Sequence, residues 1–392
     1  MYFSFYNILP AVWVCLAVAV AATLYLITFY RLYIRIQPTV KPGADEVPDE
    51  ELPPVSVIIY ARDNAADLRR MLPEVLGQEY PEGKMEVIVV NDGGVEDVTD
   101  VVNYLGASHP NLRITFVPDD AHNLSRKKLA ISLGVKAARN RVIVITAAEC
   151  RPATRRWLRQ MAAPFAPSGG SHSVVIGWAK VAGLKSAALR FDQVSRAVTW
   201  LSAAIHHKPY RGTGFNIAYT SDLFFEAKGF SRSLNLNYGD DDLFINQISN
   251  GDNTAVVLSP EATVSVHYQR PSHAYRDLRL QHVFTGRRLP KGSRIIMGSG
   301  QAAAWLWLAA TVAGCVFSLP NWYPSCIFAA LLPLLWVPLT LGWCRSARTL
   351  GVRIAPVLVW WQLLWRWTTD LRCMLACNRS HRKNFTWYVK KR

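Results

Sequence analysis

The sequence predicts an α/β protein, a Rossmann-like, mostly parallel sheet covered by helices and joined to transmembrane helices. Three observations lead there. Between residues 55 and 148 short β-branched runs alternate with helical stretches, the pattern of right-handed βαβ units. Those runs are continuously apolar rather than alternating, as strands covered on both faces are. Outside this region lie three long uncharged runs, and 51% of the 392 residues are hydrophobic.

The first uncharged run, Ile8–Tyr30, is long enough to span a bilayer, and it is too long for a signal peptide and lacks a basic segment before it. Ala302–Leu319 and Trp322–Trp343 meet at SLPNWYPS and read as a helical hairpin across the membrane. Basic residues follow the first run (Arg31, Arg35), precede the second (RRLPKGSR) and follow the third (CRSARTLGVR). The positive-inside rule then places all three flanks, and residues 50–300 between them, in the cytoplasm, giving a multi-pass inner-membrane protein. The expected division is a membrane helix (1–37), an acidic Pro-rich solvated linker (38–53), a cytoplasmic domain (54–296), a transmembrane hairpin (297–346), and an interfacial helix with a basic tail (347–392). Ile354–Ala376 mixes Trp and Leu with charged residues, which suits a helix lying in the interface.

The net charge of +16 gathers beside the spans and in the tail RSHRKNFTWYVKKR, where anionic lipid headgroups account for it. No nucleic-acid motif accompanies the charge, so nucleic acid is not an expected partner. The seven cysteines form no metal-ligand spacing and read as reduced and structural.

In the cytoplasmic part the strands VSVIIYA, MEVIVVN, LRITFVP and RVIVITAAEC alternate with helices, the last strand preceded by the basic SRKKLAISLGVKAAR. Beyond Trp178 come a long helix (LKSAALRFDQVSRAVTWLSAAI), the segment YRGTGFNIAY, the acidic NYGDDDLFINQ, and a final strand pair, TAVVLS with TVSVHY.

Chemistry belongs at the C-terminal edge of such a sheet. Asp92, in VVNDGG, is placed to bind a base or a ribose hydroxyl, or else forms an Asx-turn. Glu149, after ITAA, is placed to hold a divalent cation on a diphosphate, or serves as a favourable acid ahead of a helix. Asp240, Asp241 and Asp242 repel one another unless a cation, a base or solvent intervenes, and the apolar residues after them favour partial burial. An Asp so placed accepts a proton from an attacking hydroxyl. Lys127 and Lys128 open a helix and either reach phosphates or form a solvated basic face. Arg211–Asn216 (RGTGFN) brings backbone amides close to a ligand.

Taken in order, VSVIIYARDNAADLRRMLPEVLGQEYPEGKMEVIVVNDGG, SRKKLAISLG, VIVITAAECRPATRRWLRQM, GTGFNIAYTSDLFFEAKGF and NYGDDDLF resemble the family 2 inverting glycosyltransferases of GT-A fold, over residues 54–290. The resemblance implies a membrane-anchored hexosyltransferase using a nucleotide-sugar donor, a Mg²⁺ or Mn²⁺ ion, and a lipid-linked or polysaccharide acceptor. It places Ala61, Arg62, Asp63 and Asp92 at the nucleoside and Glu149 at the metal, and Lys127 and Lys128 are expected beside them as donor-binding cations. Gly214, Asn216 and Gln281 fall on the acceptor side, and Asp241 on the catalytic base with Asp240 beside it; a one-residue slip would make Asp240 the base. Ala147 replaces the first acid of the family's TDADC, and QxxRW is degraded, either to Gln281 with Phe284 and Thr285 or, with Gly286 aligned on the glycine that follows the motif, to Arg279 with His282 and Val283. Two further readings stay open: a sugar transferase acting on polyprenyl phosphate, and a catalytically silent scaffold that binds nucleotide sugar.

Overall fold

The computed structural model describes residues 10–36, 47–94, 97–120, 124–319 and 322–379. The expected basic tail and most of the expected linker lie outside them. The described chain divides into two units, an α/β unit and a helical one.

In the α/β unit, β1 (Val55–Ala61) lies between β2 (Met85–Asn91) and β4 (Val142–Ala147), parallel to both, and β3 (Leu112–Phe116) adds in parallel beyond β2. The sheet continues from β4 through β8 (Ile217–Thr220), β6 (Val174–Gly177) and β9 (Thr254–Val257), with β8 antiparallel to both its neighbours. All six residues of β4 are buried, as a Val/Ile run covered on both faces must be. Helix α2 (Ala65–Leu76) buries Leu68, Met71, Leu72 and Val75, one stripe at 3.6-residue spacing. Helix α3 (Val98–Gly106) starts at Asp97, whose carboxylate accepts from the Thr99 and Asp100 amides.

The run VIVITAAECRP is two strands, not one. It breaks at Ala148-Glu149, and β5 (Cys150–Pro152) enters a separate three-stranded sheet, where β10 (Val264–Val266) lies between β5 and β7 (Ala179–Val181). TAVVLS and TVSVHY, expected to pair, go instead to different sheets as β9 and β10. Nor are residues 47–53 a solvated linker. Val47 and Leu52 are buried against Ala163 and Ala166, and the Lys84 ammonium ties down the Asp49, Glu50 and Leu52 carbonyls.

Helix α4 (Arg126–Ala137) covers the parallel half of the sheet. Its approach depends on Gly134, where a Cβ would fall 2.6 Å from the Ile58 side chain and 3.0 Å from that of Val90.

The helical unit holds three helices long and apolar enough to cross a membrane: α1 (Pro10–Tyr33), α10 (Lys291–Phe317) and α11 (Trp322–Thr349). The middle of α6 (Ala187–Ile205) groups with them, although the sequence places it in the cytoplasmic domain. Ser202 donates to the Leu32 and Arg35 carbonyls at the end of α1, and Arg196 pairs with Asp192 and with Asp370 of α12 (Val359–Arg379). The six described cysteine side chains are free thiols.

Replacing Gly134 by Ala should lift α4 from the sheet and lower stability by about 1–3 kcal/mol, as overpacking does. A thermal unfolding midpoint unchanged from wild type would contradict this close approach.

Candidate active site

Helix α4 begins with three cations in a row, Arg126, Lys127 and Lys128, at the end of a helix where its dipole disfavours positive charge. Each has found a different counter-group. The Arg126 guanidinium sits 2.6 Å from Asp92 Oδ1 and also donates to the Asp92 carbonyl. The Lys127 ammonium is 2.6 Å from Asp240 Oδ2. Lys128 is fully buried, and its ammonium donates to the Ser233, Leu236 and Tyr238 carbonyls and to Ser233 Oγ at 2.6–3.1 Å. These four oxygens lie on the stretch leading directly into Gly239-Asp240-Asp241. Ser125 reinforces the tie, with its amide on the Leu234 carbonyl and its hydroxyl on that of Asn237.

The three aspartates that follow are separated by their surroundings. Asp242 is buried and ion-paired with Arg211 at 3.2 Å, while the Thr285 hydroxyl and the Leu243 amide also donate to it. Burial and then Asp241 push the Asp242 carboxyl up, and Arg211 and Thr285 pull it back. Asp240 is nearly buried under Lys127. Asp241 is half-buried and caps α8 (Asp242–Ile248), accepting from the Asp242 amide at 2.7 Å and from the Gly214 amide at 3.2 Å. A Cβ on Gly214 would stand 3.3 Å from Asp240 Oδ2 and 3.6 Å from the Lys127 ammonium, so glycine leaves this corner open.

At the ends of β1 and β2, Asn91 rather than Asp92 makes the Asx-turn, accepting from the Gly93 amide. Asp92 is thereby released, but its carboxylate is fully enclosed, held by Arg126, by the Tyr60 hydroxyl at 2.7 Å and by Arg62 at 3.5 Å. The groups left facing outward are guanidiniums, with the Arg62 side chain 47% exposed. Burial, reinforced by the bond to Asp92, raises the Tyr60 phenol and keeps it a neutral donor. Ala61 is buried and accepts from the Asp92 amide. Asp63, at φ +50°, packs its carboxylate against Gly94, where a Cβ would lie 2.2 Å away.

Glu149 sits at the break between the two sheets, half-buried, with its carbonyl accepting from the His267 amide. Burial raises its carboxyl, and Asp67 adds to this; Lys127 and Asn64 pull it down. Burial alone would depress the Lys127 ammonium, but Asp240, Asp241 and Glu149 outweigh it and raise it. Lys127 is therefore the cation shared by the acids expected at the metal and at the base. Among the described residues no three His, Cys, Asp or Glu side chains converge as a metal site, and Ala147 is a buried strand residue. The described residues thus build no three-ligand metal centre, and Glu149 is the acid that stands at the expected metal position.

Three expected roles change in the folded chain. Lys128 does not reach phosphates, because its ammonium is enclosed by the loop it ties. Asn216 does not face an acceptor: it is fully buried, donating to the Trp178 and Ala262 carbonyls and accepting from the Trp157 indole. The Asp92 carboxylate, enclosed by Arg126, Tyr60 and Arg62, has no open face for the expected ribose hydroxyl. Gln281 is half-buried on α9 (Pro271–Gly286), and its carbonyl accepts from Thr285. Sequence reasoning missed Arg126, Tyr60, Arg211 and Thr285. The signal for Arg126 was present, since three cations at a helix start demand counter-charges. Thr285, which marked a departure from QxxRW, is a direct partner of Asp242.

A mostly parallel sheet with an acid-lined C-terminal edge and a second small sheet is the architecture of GT-A nucleotide-sugar transferases. Residues 53–231 match the family model described as glycosyltransferase like family 2. It is 24% identical over 118 residues to the glycosyltransferase AglE of Haloferax volcanii, covering 30% of this chain and 37% of that protein. To the probable glycosyltransferase YdaM of Bacillus subtilis it is 29% identical over 104 residues, covering 26% and 24% respectively. The chain thus matches well under half the length of either curated relative. Among solved structures, the Pyrobaculum calidifontis mannosyltransferase PcManGT, in complex with GDP-Man and Mn²⁺, shares the fold. The TM-score is 0.55 at 18% identity, covering 92% of this chain and 98% of that one.

Lys128→Met should leave four buried oxygens without their donor and destabilise the protein by about 3 kcal/mol, as breaking a buried charged network does. Thermal unfolding of the purified chain measures this. A midpoint equal to wild type would mean that the ammonium does not hold the loop.

Proposed function

We propose that the chain transfers a hexosyl group from a nucleotide-sugar donor to a lipid-linked or saccharide acceptor, with inversion, at the cytoplasmic face of a membrane. The observation that carries this reading is Asp241: a half-buried carboxylate fixed by two backbone amides, beside an ammonium that two further acids hold in its charged state.

The three aspartates divide the work. Asp242 is committed to Arg211 and Thr285, and Asp240 to Lys127, which leaves Asp241 as the base. Asp241 takes the proton of the acceptor hydroxyl as its oxygen bonds to the anomeric carbon. The bond from that carbon to the diphosphate oxygen breaks with its electron pair leaving on the nucleoside diphosphate. One such displacement inverts the anomeric centre. Lys127 meets the negative charge that develops on the leaving group, the task that preorganised cations perform in phosphoryl and glycosyl sites. Arg62 and Arg126, fixed on Asp92, present donors to the nucleoside. Glu149 is the carboxylate that would hold the Mg²⁺ or Mn²⁺ that the resemblance implies.

The three apolar helices support membrane attachment, and the basic residues flanking them support a cytoplasmic catalytic unit.

Asp241→Asn should lower sugar transfer by about 10²–10⁴-fold, the usual contribution of a positioned base, while donor affinity stays near wild type. Radiolabelled transfer and equilibrium donor binding are measured on the same preparation. Full transfer activity in this variant would remove Asp241 from the role.

A further inference from the structure

Helix α11 ends in a way that builds a second, separate site. Gly351, at φ +65°, turns the chain back: its amide bonds the Arg348 carbonyl and the Val352 amide bonds that of Ala347, a Schellman closure. Two carbonyls of the last turn are thereby occupied by the chain itself. The reversal brings Arg353 to the same recess as Arg348. This recess, of about 540 Å³, is lined by Cys344, Arg348, Arg353, Ile354 and Pro356. Both arginines are exposed, and among the described residues neither has an ion-pair partner.

What adjoins the recess indicates the occupant. The chain leaves it through the 3₁₀ turn Pro356–Leu358, where Val357 is exposed, into α12, where Trp361 and Trp365 stack at four-residue spacing and extend an exposed apolar stripe. Val357 is 84% and Trp361 65% exposed, an apolar surface that water does not favour and hydrocarbon does. Two guanidiniums suited to a phosphate thus stand beside a surface suited to acyl chains, at the end of a helix long enough to span a bilayer.

We propose that the Arg348–Arg353 recess binds the phosphate of an anionic phospholipid, whose acyl chains lie along the Val357–Trp361–Trp365 stripe. The inference rests on the reading that α1, α10 and α11 cross a membrane. The bound lipid fixes the depth of α12 at the surface, independently of the sugar-transfer chemistry.

The test uses the full chain in detergent micelles, titrated with short-chain fluorescent phosphatidylglycerol and, in parallel, with the phosphatidylcholine analogue. The phosphatidylglycerol probe should bind saturably and more tightly than the phosphatidylcholine probe. Arg348→Gln with Arg353→Gln should weaken it about 30-fold, the combined loss of two headgroup attractions. Arg345→Gln, an exposed residue on the same helix that does not line the recess, should leave the affinity unchanged. Circular dichroism of each variant confirms that the helices persist. The proposal is overturned by equal affinity in the double variant or by equal binding of the phosphatidylcholine probe. It is overturned equally if inorganic phosphate displaces the probe as well as unlabelled phosphatidylglycerol does, since the recess would then be a free-phosphate site. Flotation with vesicles of phosphatidylcholine alone tests the membrane reading separately. A wild-type chain that stays in the aqueous phase would sink that reading and this inference with it, whereas a chain that floats but fails the micelle titration loses the recess alone.

Discussion

Three consecutive cations at the start of one helix tie the candidate site together. An α-helix turns by about 100° per residue, so Arg126, Lys127 and Lys128 point in three directions. They meet the end of β2, the acid cluster and the loop that leads into that cluster. The helix dipole makes this start unfavourable without counter-charges. The counter-charges are Asp92 and Asp240, and with the loop carbonyls they join segments more than a hundred residues apart in sequence. Gly134 lets the helix lie close enough to the sheet for these contacts to form together. The arrangement explains how three adjacent aspartates are tolerated: one faces Arg211, one faces Lys127, and only Asp241 keeps a carboxylate free of a cation within ion-pair distance among the described residues.

Much of this fold is legible in the amino-acid sequence because long-range order and local pattern agree. VSVIIYA and MEVIVV are rich in β-branched residues and become central parallel strands, and Leu68, Met71, Leu72 and Val75 announce the buried face of α2. The smaller sheet is hidden for a physical reason. Its strands are three residues long, too short to show any periodicity, and β5 follows β4 with only Ala148 and Glu149 between. No composition change marks the break.

At the site, the type of each residue is legible and its direction is not. Asp92, Glu149 and the GDDD cluster stand out as charges next to strands and apolar segments. Lys127 and Lys128 are indistinguishable as letters, yet one reaches an acid of the site and the other is fully buried as an internal clamp. Asn216 likewise reads as a ligand-facing amide and is instead a buried bolt between the two sheets, through the Trp178 and Ala262 carbonyls. A buried polar side chain is identified by the partners it satisfies, and those come from distant parts of the chain. Ala147 stands where the resemblance expects an acid, and the acids that remain raise the Lys127 ammonium, Asp240 most and Glu149 least.

In the proposed reaction Lys127, raised by these acids, stabilises the departing diphosphate. Donor breakdown by the full-length chain, followed across UDP- and GDP-sugars for wild type and Lys127→Gln, tests it most directly. Wild type should turn over at least one donor, and the variant should be slower by about 10²–10³-fold, the range found when one preorganised stabilising group is removed. Equal turnover by the two proteins would contradict the account.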